Sequence, residues 1–287
     1  MKVVVLSGKG GAGKTTVATN LAWVLSLQYK VFLIDADVEE PNVHLFLPVN
    51  YSFEEKVHIP KPRVNNDVCV KCGKCSEICQ FGAINVFKNG VMIFKSLCHG
   101  CGACALICPV NAIEEIPEDM GIVKRGDARC GSLKVGMGYL NVGEPSGVVL
   151  IKQLKKWMSD EDDVVILDAP PGTSCPVVET LRNTDFALIV AENSPFGLHD
   201  LKMVLEMVDE MNIKRGLILN KHTDTYEGVE KYAVDNGIPI LMRIPFDMEI
   251  ASLYSRGILF ASRYPQWKAE FERMFSTLGE MTGWSSR

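Results

Sequence analysis

Eight of the ten cysteines in this 287-residue chain fall into two runs of the same spacing. They are Cys69-x2-Cys72-x2-Cys75-x3-Cys79 and Cys98-x2-Cys101-x2-Cys104-x3-Cys108. Three cysteines at two-residue gaps can wrap one small metal cluster, while the fourth reaches away from it. Zinc ribbons more often use pairs of Cys-x2-Cys, without the third and fourth members. A pattern repeated whole reads as a small twofold module whose clusters replace a hydrophobic core. Around it, roughly residues 59–117, cysteine, glycine and short strand-like pieces at 86–87 and 91–94 replace longer periodic segments. Pro60 and Pro62 enter the stretch and Pro117 leaves it.

The rest of the chain has a different texture. Short apolar runs at 3–6, 31–34, 164–167, 186–190, 216–219 and 240–242 read as buried strands, with helical spacing at 15–27 and 201–211. Their alternation predicts an α/β domain built on a parallel sheet covered on both faces. The division expected is an α/β domain in two parts, 1–58 and 118–287, with an inserted module at 59–117. The polar residues Asp35, Asp37, Asp168, Asn220 and Asp247 follow strands, where open α/β sheets bind ligands.

The first strand runs into Gly8-Lys9-Gly10-Gly11-Ala12-Gly13-Lys14-Thr15-Thr16, and a helix follows. Gly-x4-Gly-Lys-Thr in that context is a phosphate-binding loop. Its glycines let backbone N–H groups converge on phosphate oxygens, and the helix N-terminus favours negative charge. Lys14 is expected to pair with the β- and γ-phosphates, and Thr15 and Asp168 to hold Mg²⁺. ATP is expected over GTP, because Asn220-Lys221-His222-Thr223 lacks the aspartate of a guanine-reading motif.

Composition narrows the remaining options. A hydrophobic share of 47% and a charged share of 23% are those of a globular protein. A net charge of −5 gives no reason to expect nucleic acid as the partner. No apolar run reaches the ~18 residues of a spanning helix, and the first residues are too few for a signal peptide. Ten cysteines in such a chain favour metal ligation over disulfides, and a cytoplasmic location is expected. The histidines (His44, His58, His99, His199, His222) are scattered and suggest no mononuclear site. Trp267, Phe271, Met274, Phe275, Leu278 and Met281 follow helical spacing, and the mixed charges opposite them predict core packing over membrane attachment.

Lys9-Gly-Gly-Ala-Gly-Lys14-Thr-Thr resembles the deviant phosphate loop of the MinD, ParA and nitrogenase iron protein superfamily, and the resemblance covers essentially the whole chain. It implies a deviant P-loop ATPase that dimerises around ATP, with Lys9 reaching the nucleotide of the other subunit. Asp35-Ala-Asp37 followed by Pro41-Asn42 resembles the first switch, implying that Asp37 orients the attacking water and Asp35 lies near Mg²⁺. Asp168 to Thr173 resembles the second switch. Asn220 matches the adenine-binding asparagine, and Pro245 to Asp247 the loop flanking the base. The cysteine module resembles two-cluster bacterial ferredoxins of α+β fold. That implies two [4Fe-4S] clusters with exchanged fourth ligands: Cys69, Cys72, Cys75 and Cys108 for one, Cys98, Cys101, Cys104 and Cys79 for the other. Pro109 fits that pattern, whereas Gln80 stands where proline is usual. Cys175, seven residues after Asp168, has the offset of a cysteine that ligates a subunit-bridging cluster in the nitrogenase iron protein. By the same likeness Cys130 is a candidate second ligand for a third cluster or metal at the dimer interface.

Together these imply a dimeric ATPase, formed with itself or with a paralogue. It would couple ATP hydrolysis to electron transfer, or to delivery of iron–sulfur or other metal clusters to a client metalloprotein. The alternatives are a spatial organiser of the MinD/ParA kind and a cluster-binding scaffold with little redox coupling.

Overall fold

The computed structural model describes residues 1–223 and 225–285. In chain order the strands are β1 (Lys2–Leu6), β2 (Val31–Asp35), β3 (Val49–Val64), β4 (Ile84–Phe87), β5 (Gly90–Ile93), β6 (Ile113–Ala128), β7 (Leu133–Leu140), β8 (Val164–Asp168), β9 (Phe186–Glu192), β10 (Lys214–His222) and β11 (Ile240–Pro245). The helices are α1 (Lys14–Ser26), α2 (Lys74–Ile78), α3 (Ala103–Leu106), α4 (Val148–Lys155), α5 (Cys175–Leu181), α6 (Pro195–Glu210), α7 (Gly228–Asp235), α8 (Met248–Ser255), α9 (Phe260–Arg263) and α10 (Pro265–Thr282). Nine strands form one sheet in the order β11-β10-β9-β1-β8-β2-β7-β6-β3, and β4 and β5 form a separate hairpin.

From β11 to β7 every neighbouring pair is parallel. Successive residues of these strands bury on opposite faces. Val3 and Val5 join a core with α1, α9 and α10, while Val4 and Leu6 join one with α4, α5, α6 and α7. Both faces are covered, which is why the strands read as unbroken apolar runs. Phe271, Met274, Phe275 and Leu278 of α10 are buried in the first core. Each such side chain contributes roughly 1.5–3 kcal/mol by leaving water. Among the described residues no helix is long and apolar enough to cross a membrane.

One edge departs from the expected parallel sheet. β6 is antiparallel to β7, and β3 is antiparallel to β6, so the sheet is mixed. β3 and β6 are 16 residues each and pair from Val49–Ala128 out to Val64–Ile113. The boundaries expected at 58/59 and 117/118 therefore fall inside continuous strands. Pro60 and Pro62 do not break β3, because it is the outermost strand and proline is tolerated at such edges. The ribbon carries residues 65–112 away from the main sheet.

Within that segment the 29-residue repeat is visible in the backbone. Lys71 and Gly100 take left-handed φ of 54° and 64°, Gly73 and Gly102 of 83° and 75°, and Gly82 and Asn111 of 61° and 51°. α2 and α3 start from the equivalent glycines. Lys71 is the costly member, since its Cβ makes this conformation unfavourable where Gly100 adopts it freely.

Candidate functional site

The loop after β1 meets α1 at Gly13, whose φ of 101° is open mainly to glycine. A Cβ there would overlap the side-chain amide of Asn220, and one on Gly8 would overlap the backbone of Asp200. The loop is thus pressed against the C-terminal end of β10 and the N-terminal half of α6, and only glycine permits it. The first turn of α1 has no acidic side chain and no side-chain cap. Its leading N–H groups, Thr16 among them, present the positive end of the helix dipole, and together with the preceding loop of Gly10, Gly11, Ala12 and Gly13 this end suits an anion.

Four charged groups converge behind the loop. Lys14 is buried; burial lowers its pKa, and Asp168 and Asp37 oppose that. Asp168, at the end of β8, is pushed up to about 7, chiefly by burial, against the hydrogen bond from Thr15 and the charge of Lys14. Thr15 Oγ1 donates to Asp168 Oδ2 at 2.6 Å, whereas Asp168 Oδ1 is buried with no partner. A hydroxyl beside a buried carboxylate with an unmatched oxygen fits a hard divalent cation, which supplies the missing charge. Asp37 is raised by burial, and the backbone N–H of Glu40 and the charge of Lys14 oppose this.

Asp35 has another task. Its Oδ2 accepts from the backbone N–H of Asn42 at 2.8 Å and of Val43 at 3.0 Å, and its Oδ1 from Asp37 N–H at 3.2 Å. It clamps the segment that carries Asp37. Burial first, then the charge of Asp168, pushes its own pKa well up. Asn220 sits at the end of β10, where its amide donates to Ala12 O at 2.8 Å and braces the loop. Pro245 ends β11, and the following Phe246 N–H returns to His222 O at 3.0 Å.

Lys9 Nζ lies 3.2 Å from Glu192 of its own chain, at the end of β9. Lys221 lies 3.7 Å from the same carboxylate and donates to Gly11 O at 3.1 Å. Glu192 and Lys221 were given no site role from the sequence, although Glu192 is among the polar residues that follow strands. Their only local signal is position, since both stand at the C-terminal ends of parallel strands.

The cysteines form two cavities. One is lined by Cys69, Cys72, Cys75 and Cys108 among Val64, Val86, Val91 and Ile113. The other is lined by Cys98, Cys101, Cys104 and Cys79 with Pro62, Phe81 and His99. Each thus draws three cysteines from one run and the fourth from the other. Among the described residues no three His, Cys, Asp or Glu side chains close on a single metal ion. Backbone N–H groups reach the fourth sulfurs, Ala83 to Cys79 Sγ at 3.3 Å and Ala112 to Cys108 Sγ at 3.2 Å. Such bonds support negative charge on sulfur. Burial raises the Cys75 thiol and pushes Cys104 up to about 11. The donor set and its apolar walls fit iron–sulfur clusters.

The two remaining cysteines are not brought together. Cys175 is exposed at the start of α5, beyond the C-terminal end of β8. Cys130 lies in the turn before β7, at the opposite end of the sheet, where it packs on the core and burial raises its pKa.

A glycine loop between β1 and α1, with a threonine–aspartate pair at the C-terminal edge of a largely parallel sheet, defines a P-loop nucleotide-binding protein. More narrowly, residues 3–260 match the CobQ/CobB/MinD/ParA nucleotide-binding domain, and the chain belongs to that family. It is 31% identical over 281 residues to an uncharacterized protein of Methanocaldococcus jannaschii, spanning 98% of this chain and 97% of that one. It is 27% identical over 304 residues to an iron-sulfur cluster carrier protein of Pyrococcus abyssi, spanning 98% and 88%. In fold it resembles the septum site-determining protein MinD of Pyrococcus horikoshii complexed with Mg-ADP, with a TM-score of 0.62 at 18% identity, covering 98% and 97%.

Proposed function

We propose that this chain is a Mg²⁺-dependent ATPase that acts as a dimeric switch, with two [4Fe-4S] clusters in its cysteine cavities relaying electrons to a client metalloprotein in the cytoplasm. The observation that carries this reading is the exchange of fourth cysteines between the two cavities. Releasing either cluster would require opening both runs, so the pair suits residents that pass electrons better than cargo. When bound, such clusters accept and donate single electrons. The Mg-ADP complex of the MinD structure supports the choice of nucleotide.

The residues divide the work as follows. Lys14 would hold the β- and γ-phosphates against the N–H groups of the loop, and Thr15 and Asp168 would hold Mg²⁺. Asp37, held in place through Asp35, would orient the attacking water. In a dimer, Lys9 would exchange Glu192 for the phosphates of the partner subunit, neutralising charge that grows as the bond breaks. Asn220 and Pro245 would border the base. Movement of the 37–42 segment as the γ-phosphate leaves would connect hydrolysis to the ribbon.

A second reading, delivery of a cluster to an acceptor, is favoured by the likeness to the iron-sulfur cluster carrier protein of Pyrococcus abyssi. In that case the cargo would sit at exposed Cys175 near the dimer axis, separate from the two cavities. An anaerobic redox titration with and without Mg-ATP separates the two. A nucleotide-dependent shift in cluster potential supports electron relay. An unchanged potential, together with ATP-dependent transfer of labelled iron to an apo-acceptor, would replace it with the carrier reading.

A further inference from the structure

One buried ion pair lies outside both sites. Lys61, on β3, is only 2% exposed, and its Nζ lies 2.6 and 2.9 Å from the two carboxylate oxygens of Glu144. It also donates to Lys95 O at 3.1 Å. A lysine buried this deeply is tolerated only when its protons are matched. Here the acceptors come from two segments far apart in sequence. Glu144 belongs to the loop between β7 and α4, and Lys95 to the turn that leads into Cys98.

Each end of this contact leads to one of the sites. On one side, Leu140 N–H donates to Val38 O at 2.8 Å. The Val38 side chain is seated between Gly138 and Gly147, where a Cβ would stand 3.1 Å from it at Gly138 and overlap it at Gly147. Val38 directly follows Asp37. On the other side, Lys61 precedes Pro62, which lines the second cavity. Gly100, between Cys98 and Cys101, is packed so closely on Pro60 O that a Cβ would lie 2.8 Å from it. Asp37, Val38, the 138–147 loop, Lys61 and the 95–101 turn therefore form one packed series.

We propose that the Lys61–Glu144 pair is the joint through which movement of the 37–42 segment reaches the second cysteine cavity. This rests on the reading that nucleotide turnover and the clusters are coupled. A close-packed interior transmits displacement, because a seated side chain cannot move without its neighbours. The bidentate pair links the 138–147 loop to the ribbon, and the third contact links the ribbon to the turn bearing Cys98. The first cavity sits further out, at Val64 and Ile113. The nucleotide signal is accordingly asymmetric and addresses the second cavity.

Hydrogen exchange by mass spectrometry on anaerobic, iron-loaded protein tests this, with and without Mg-ATP. In the wild type, nucleotide changes exchange in both 138–147 and 93–101. In Glu144→Gln it still changes 138–147 but no longer 93–101. The double variant Lys61→Met/Glu144→Leu, which replaces the pair by apolar groups, gives the same result. Iron content per chain confirms that the cavities are intact. In parallel, the nucleotide-dependent part of the second cluster's potential shift is lost in both variants. Glu144→Gln also leaves the Lys61 charge unpaired and raises that potential in both nucleotide states, a static offset distinct from the coupling. A nucleotide response at 93–101 that persists in both variants overturns the proposal. So does a wild type that responds at 138–147 alone, although the nucleotide switch would then stand. No response at either segment refutes the coupling reading itself.

Discussion

Asp168→Asn should make the nucleotide-free protein more stable while removing its response to Mg-ATP. In the native chain this carboxyl is buried, its Oδ1 has no partner, and its pKa is raised from 3.8 to about 7. Because the folded-state value is the higher one, the native state holds the proton more tightly than the unfolded chain. Stability contributed by this group is therefore greatest below about pH 4 and falls as pH rises, levelling off above about 7. At 1.36 kcal/mol per pH unit, the loss across that interval is about 4 kcal/mol. Asparagine keeps the bond from Thr15 and cannot ionise. The variant should match the wild type near pH 4 and exceed it by about 4 kcal/mol at pH 8, which raises the melting temperature by roughly 10 °C for a chain of this size. Any fall in the Asp35 pKa once the neighbouring charge is gone adds to the gain. Scanning calorimetry from pH 5 to 8 gives the profile. Saturating Mg-ATP at a hundredfold over Kd should return about 2.7 kcal/mol to the wild type and nothing to the variant. A variant-minus-wild-type difference that stays flat with pH would refute the reasoning, since burial of the charge would then not set the cost.

Gly13→Ala should abolish nucleotide binding in calorimetric titration while leaving iron content unchanged, because its Cβ overlaps Asn220 and its φ of 101° is unfavourable for alanine. Cys108→Ala should halve the iron per chain and remove the spectroscopic signal of the cluster held by the first run. Loss of the other signal instead would show that the runs do not exchange ligands. Phe271→Ala, at a fully buried position of α10, should cost about 3–5 kcal/mol in denaturant unfolding with little change in the Kd for ATP.

Much of the central sheet was legible in the sequence, because strands buried on both faces leave apolar runs that end at polar residues. β3, β6 and β7 were not. The ribbon is exposed over much of its length, so β3 and β6 mix charged and apolar residues, and Pro60, Pro62 and Pro117 read as breaks. β7 was obscured by Gly136 and Gly138, the latter packed on Val38. The spacing alone says that three ligands two apart bend around one centre and that the fourth does not; the exchange of the fourth cysteines is what the resemblance to two-cluster ferredoxins implies. Contacts between distant positions left no local trace. Nothing near Lys9 indicates Glu192, and nothing near Lys61 indicates Glu144. Asn220 stands out at a strand end, yet its bond to Ala12 O depends on how β10 lies against the loop.

The β3–β6 ribbon also bears on how the chain is made. Val49 cannot find Ala128, nor Val64 find Ile113, until the intervening segment has been drawn together. That segment has little apolar core of its own, with Val70, Phe87 and Leu106 exposed. Closing a loop this long costs about 3 kcal/mol in chain entropy beyond the constant of closure, and eight cysteines gathered around metal would offset it. Until then β7 remains an unpaired edge open to other chains. On the proposed reading that these cysteines hold iron–sulfur clusters, iron supply would act during biogenesis as a gate on which newly made chains escape aggregation, before any ATP is hydrolysed.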